Sequence, residues 1–156
     1  MVSPELLRRY PFFADLTNGQ LVSLAMIAQT AMYDAGETVF SQDEPATHFF
    51  LVVDGRVSLF VEFDSRALRA TITDIEKGEV FGWSALVEPY AYTATAECAR
   101  SSELISFDAF ELRCLMKTDA QLDRVLMHRT SEVLASRLHA AYVELASVVL
   151  APVSPA

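Results

Sequence analysis

The chain has 156 residues, is 52% hydrophobic with ten Phe and one Trp, and carries a formal net charge of −9 from 21 acidic and 12 basic residues. That length holds one domain, or one domain with an appendage, and that apolar content excludes a disordered chain. With no basic run longer than Arg8-Arg9, neither nucleic-acid phosphates nor an anionic membrane surface is an expected partner.

Taken from the N-terminus, Ser3-Pro4-Glu5 reads as a helix start: a hydroxyl cap, a proline at the first helical position and an acid in the first turn. It predicts a short helix carrying Leu6 and Leu7, interrupted at Pro11. Thr17 with Gln20 makes a capping-box pattern, and Leu21, Leu24, Ala25 and Ala28 follow at helical spacing, so a second helix is expected to about Gln29. From Met32 to Phe107 the texture changes to short apolar runs: Thr38–Phe40, His48–Val53, Val57–Phe63, Leu68–Ile75, Thr93–Cys98 and Leu104–Phe107. Turn residues separate them at Ala35-Gly36, Asp43-Glu44-Pro45, Asp54-Gly55, Phe63-Asp64-Ser65 and Lys77-Gly78. Short strands with such spacing predict a small sandwich or barrel, and Asp54-Gly55 predicts a hairpin turn. Asp108 with Glu111 opens a short helix through Met116, and a long helix is expected from about Ala120 to Leu150.

Within the long helix, Met127, Ser131, Leu134, Leu138, Ala141, Leu145 and Val148 alternate spacings of four and three, an a/d seam that suits a second copy of the same helix. Leu122, Val125 and Val133 form a second apolar set able to face the body. The tail Ala151-Pro-Val-Ser-Pro-Ala is incompatible with a helix and is expected to fray.

No stretch of about 18 apolar residues appears, and Met1 to Arg9 has no signal-peptide core, so a cytoplasmic protein is expected. Cys98 and Cys114 are too few for a disulfide framework or a four-thiolate cluster, and both read as small buried hydrophobes. His128 and His139 share a helix face but lie about 16 Å apart along it, too far to bind one metal. Gly82-Trp83-Ser84-Ala85 lacks the second glycine of a nucleophile elbow, and Ser84 reads as a helix-turn hydroxyl. No metal site, resident cofactor or catalytic set assembles from these residues, so no enzyme is expected.

The run Gly78-Glu-Val-Phe-Gly-Trp-Ser-Ala-Leu-Val-Glu-Pro-Tyr-Ala-Tyr-Thr-Ala-Thr-Ala-Glu-Cys-Ala-Arg100 resembles the phosphate-binding cassette of cyclic-nucleotide-binding domains, as in bacterial regulators of the catabolite-activator type. Ala35-Gly36-Glu37-Thr38-Val39-Phe40 resembles that family's early strand, and Phe49 to Val57, with Gly55 at the turn, its central hairpin. The resemblance spans about residues 5 to 148. It implies a mainly β fold, a double-stranded β-roll flanked by helices, with residues 1–118 as sensor body, 119–150 as a long dimerisation helix and 151–156 as a tail. It implies a pocket lined by Phe81, Gly82, Trp83, Ser84, Ala85, Tyr92 and Thr93, and a homodimer through Met127, Leu134, Leu138, Ala141, Leu145 and Val148.

Three departures qualify it. Asp43 stands near a usual glycine, a mild loss because Asp tolerates left-handed backbone. Trp83 stands where the family has a glutamate for the ribose hydroxyl, and Tyr92 where it has an arginine for the cyclic phosphate. No Lys or Arg occurs from Gly78 to Ala99, whereas Glu79, Glu88 and Glu97 do, and Arg100 is expected to point elsewhere. An anion is therefore disfavoured. Trp83 and Tyr92 either fill the vacated pocket or line one for another small ligand. The expected function is a dimeric regulatory module that binds cyclic AMP or GMP poorly. Its alternative is a dimerisation scaffold with a filled pocket. The chain ends just past the long helix, so no winged helix for DNA is expected to follow, and output is expected to pass to another protein.

Overall fold

The order of elements follows the capping and turn residues closely. In a computed structural model, described for residues 2–63 and 68–150, Ser3 caps α1 (Pro4–Arg8) by accepting from the Glu5 N–H, and a 3-10 turn, Pro11–Phe13, follows. Thr17 and Gln20 close a full capping box on α2 (Asn18–Ile27). Eight strands come next: β1 (Ala28–Tyr33), β2 (Thr38–Phe40), β3 (His48–Asp54), β4 (Arg56–Phe63), β5 (Leu68–Glu76), β6 (Val80–Phe81), β7 (Thr95–Cys98) and β8 (Ser102–Asp108). Asp108 caps α3 (Ala109–Thr118), and Asp119 caps α4 (Ala120–Val149). The expected turn at Asp64-Ser65 and the tail 151–156 lie outside the described residues.

The strands form two antiparallel four-stranded sheets, in the orders β1-β8-β3-β6 and β2-β7-β4-β5. This is the expected mainly β roll with flanking helices. Strand β3 explains its own unbroken apolar run. Phe49 meets Phe12 of the N-terminal turn, with ring centroids 5.4 Å apart, whereas Phe50 meets Phe40 and Phe81 on the other side. Both faces are covered, so no polar alternation survives. Phe13 against Phe107 extends the helix-side layer, and both rings are at most 1% exposed. Truncating such a ring to Ala costs about 3–5 kcal/mol.

Two sequence expectations are corrected. Ala28 and Gln29, expected to end the second helix, instead open strand β1 (Ala28–Tyr33). Pairing of Ala28 with Phe107 through Tyr33 with Ser102 satisfies their backbone on the edge of β8, and this long-range ladder overrides local helical spacing. Asp54-Gly55 is not a hairpin turn, because β3 pairs with β8 and β6 while β4 pairs with β5 and β7. The chain turns a corner from one sheet to the other. Gly55 has φ +112°, and a Cβ there would lie 2.1 Å from Ser102 Oγ, so both backbone and space require glycine. The two-residue strand β6 is too short to register as a run of its own.

Helix α4 divides lengthwise. Leu122, Leu126 and Thr130 are buried against the body, with Val125, Met127 and Val133 partly so. Beyond Arg137 every described residue to Leu150 is exposed. No helix among the described residues is long and apolar enough to cross a membrane.

Candidate functional site

Strand β6 delivers the chain to Gly82 at φ +81°, and the 3-10 turn Trp83–Ala85 follows. Inside this cassette the space is occupied. A Cβ built on Gly82 would meet His48 O at 3.1 Å, Phe50 at 3.3 Å and Phe40 at 3.6 Å. The Phe50 and Phe81 rings stack at 5.0 Å, and Phe40 stacks on Tyr92 at 3.7 Å with an 8° interplanar angle. Four aromatic side chains from β2, β3, β6 and the segment before β7 thus pack where the resemblance implies a ligand.

Tyr92 is 3% exposed. Its hydroxyl donates to His48 O at 2.8 Å and accepts from the His48 N–H at 3.1 Å. Both halves of the phenol's hydrogen-bonding capacity are used on the backbone of one residue of β3, so the ring is held by its face and by its tip. Burial pushes the Tyr92 phenol above its ordinary pKa, partly offset by the His48 backbone bond. The loop over this end is strapped down as well. Asp43 N–H donates to Tyr92 O at 2.8 Å, Tyr92 N–H to Glu44 O at 2.9 Å and Ala46 N–H to Tyr90 O at 2.8 Å. Asp43 takes φ +70°, the left-handed conformation anticipated from its place near a glycine position.

The remaining site residues divide by exposure. Phe81, Gly82, Ser84 and Ala85 are buried, Trp83 is half-buried, and Thr93 is exposed. Glu88 is exposed, and Arg100 reaches the β3–β4 corner, where it lies 3.4 Å from Gly55 O. Of the two residues left open between filling and lining, Tyr92 is buried and Trp83 half-buried.

Two arginines that sequence reasoning missed touch the cassette from outside. Arg113 of α3 donates to Ala85 O at 2.7 Å, with its guanidinium carbon 4.2 Å from the Tyr90 ring centroid. Arg137 of α4 donates through Nη2 to Val80 O, and its Nη1 is buried with no partner among the described residues. Burial holds the Arg137 guanidinium below its ordinary pKa, with Glu79 opposing. No local signal marks their targets, which lie 28 and 57 residues away in sequence. Only the position of Arg137 on the Leu122–Leu126–Thr130–Val133 face was readable.

The secondary candidates resolve simply. Cys98 is buried as expected, but Cys114 is exposed. The buried face of α3 is set by Ala109, Leu112 and Met116, and Cys114 falls on the other side. His128 pairs with Glu132 at 3.0 Å on an exposed face, and His139 is exposed. No cluster of His, Cys, Asp and Glu among the described residues has a metal-binding arrangement. On the expected seam, Met127 is half-buried beside Leu86, Tyr90, Arg113 and Met116 of its own body. Leu134 is half-buried, while Leu138, Ala141, Leu145 and Val148 face outward.

Residues 31–119 match the sequence model of the cyclic nucleotide-binding domain. A solved structure from Geobacter metallireducens GS-15, described as a cyclic nucleotide-binding protein, is 32% identical, with a TM-score of 0.81, over 89% of this chain and 100% of that one. The cAMP-dependent protein kinase regulatory subunit of Schizosaccharomyces pombe is 30% identical over 69% of this chain and 25% of its own length. The catabolite activator protein of Thermus thermophilus shares the fold, with a TM-score of 0.69 at 24% identity, over 89% of this chain and 63% of that one. The chain spans about a quarter of the length of the curated relatives it matches.

Proposed function

The chain belongs to the cyclic nucleotide-binding domain family, and from that premise we propose that it is a non-catalytic regulatory module whose cassette is closed by its own aromatic side chains. The observation that carries this reading is Tyr92. It occupies the interior with a stacked ring and a doubly used hydroxyl, at the position where the resemblance implies an arginine. A cyclic nucleotide would bring one phosphate charge to a wall of Phe40, Phe50, Phe81 and Tyr92. Burying that charge without a cation costs several kcal/mol. Seating it would also require expelling an aromatic ring from a packed core.

In this reading cyclic AMP and cyclic GMP bind weakly or not at all, and regulation passes through protein contacts. Residues 1–118 act as the body and 119–150 as the output helix. A homodimer through Leu134, Leu138, Ala141, Leu145 and Val148 would cover the apolar side chains that the body leaves bare. The net charge of −9 disfavours direct contact with nucleic acid.

Titration calorimetry with cyclic AMP and cyclic GMP at moderate salt tests the proposal. No binding tighter than about 100 µM, roughly −5.5 kcal/mol, is expected. A micromolar constant would overturn it, since the aromatic cluster would then have to open readily.

A further inference from the structure

The two carbonyls that bracket Gly82 are both gripped from the C-terminal helices. Val80 O, two residues before it, accepts from Arg137 of α4. Ala85 O, three residues after it, accepts from Arg113 of α3. Arg113 also lies over Tyr90, which holds φ +57°, a conformation that a bulky residue adopts only under constraint. Hydrogen bonds from a charged donor are the stronger kind, and both arginines are at least partly shielded from water.

We propose that Arg113 and Arg137 are positioning residues that form a clamp, so that the α3–α4 unit rather than a bound anion holds the cassette in its closed conformation. This rests on reading residues 78–93 as the family's cassette, and it adds to that reading the means by which the cassette is regulated. The backbone of β6 and of the turn 83–85 cannot shift without breaking one guanidinium contact. Conversely, lifting the segment Ala120–Arg137 of α4 off the body withdraws Arg137 from Val80. A partner that binds the long helix would thereby reach the cassette without entering it. The grip is unequal. Arg113 has a carbonyl and a ring, whereas Arg137 leaves Nη1 unpartnered among the described residues, so α4 is the half of the clamp that releases more easily.

Hydrogen exchange on the full chain tests this with no nucleotide present. The reporters are the amides of Ala85 and Leu86, which donate to Gly82 O and Trp83 O at 3.1 and 2.9 Å. Arg113→Met and Arg137→Met keep the stem and remove the donors. Each is expected to speed exchange at these amides about tenfold or more, and to raise acrylamide quenching of Trp83, the single tryptophan. Arg129→Met is the control. Arg129 lies on the same helix but pairs with Asp15 and Glu132, so its loss should leave the cassette amides unchanged. Cassette exchange within twofold of the unmodified protein in both clamp variants would overturn the proposal. So would an equal acceleration by Arg129→Met, which would mean general loosening of α4.

If a variant does not fold, the unmodified chain decides the matter in dilute denaturant. The clamp requires the cassette amides and those of α4 from Ala120 to Arg137 to open as one unit. Cassette amides that open while α4 stays protected would sink it. Neither arm involves nucleotide, so a failure here leaves the binding prediction standing, and the reverse also holds.

Discussion

The cassette and the far half of α4 are opposites. In the cassette, Tyr92 spends its ring face and hydroxyl on the protein itself, and glycine is needed at residue 82 because Phe40, Phe50 and His48 crowd it. On the helix, Leu138, Tyr142, Val143, Leu145 and Val148 are 52–70% exposed. One region is packed with its own aromatic rings. The other holds apolar surface of the kind that marks protein interaction sites. In the proposed function, this contrast places the working surface on the helix rather than in the pocket.

The cassette side of the contrast is the most costly to break. Tyr92→Ala removes a stacked ring and orphans the His48 peptide, and is expected to destabilise the fold by about 3–5 kcal/mol. Tyr92→Phe keeps the ring and loses only the hydroxyl, at about 1–3 kcal/mol. Urea melts of the pair separate filling from hydrogen bonding. Equal losses would mean that the ring contributes little and the interior is not packed as described.

The helix side should behave differently. Leu138→Glu places like charges across the proposed seam while leaving monomer stability within about 0.5 kcal/mol, as for ordinary exposed sites. Light scattering is expected to show a dimer for the unmodified chain and a monomer for the variant. A monomeric mass for the unmodified chain at about 100 µM, where a dimer with a micromolar constant would be well populated, would leave the bare stripe without its proposed partner.

The smallest effect lies at the cap that launches α4. Hydrogen bonds from the Leu122 amide, then from the Gln20 side chain, hold the Asp119 carboxyl below its ordinary value of 3.8. A carboxylate depressed in the folded state stabilises above its unfolded pKa, and that contribution is lost as pH falls through the lowered folded value. It is therefore complete at neutral pH and fades below about pH 3.9. Asp119→Asn keeps the cap, because Asn serves nearly as well there. It should flatten this part of the acid limb in a pH series of thermal melts. An unchanged acid limb would show that the cap does not sense pH.

Much of this contrast was readable in the residues. Ser3, Thr17 and Asp108 announced three helix starts through their own hydrogen-bonding chemistry, and the seam was visible as a spacing. The absence of Lys and Arg between Gly78 and Ala99 already ruled out a cation supplied by the cassette itself. What stayed hidden depends on which strands meet. Ala28 and Gln29 look helical until β8 is there to pair with them, and Asp54-Gly55 looks like a hairpin until β3 and β4 are seen to join different sheets. Tyr92 could be seen to replace a cation, but whether it filled or lined the pocket depended on Phe40, which arrives from 52 residues earlier. Arg113 and Arg137 reach backbone carbonyls, which leave no mark on side-chain patterns.

The strand pairing also dictates an order of assembly. Among the described residues only β4 and β5 are both paired and consecutive, whereas β1 waits for β8 and β2 for β7. During synthesis the wall against which Phe12 and Phe13 pack cannot close until Asp108 has left the ribosome. Nonlocal closure of this kind places folding toward the millisecond-to-second range. For that interval the N-terminal helix layer is an exposed apolar surface on the nascent chain. Transiently exposed apolar surface of that kind is prone to capture or aggregation until β8 emerges.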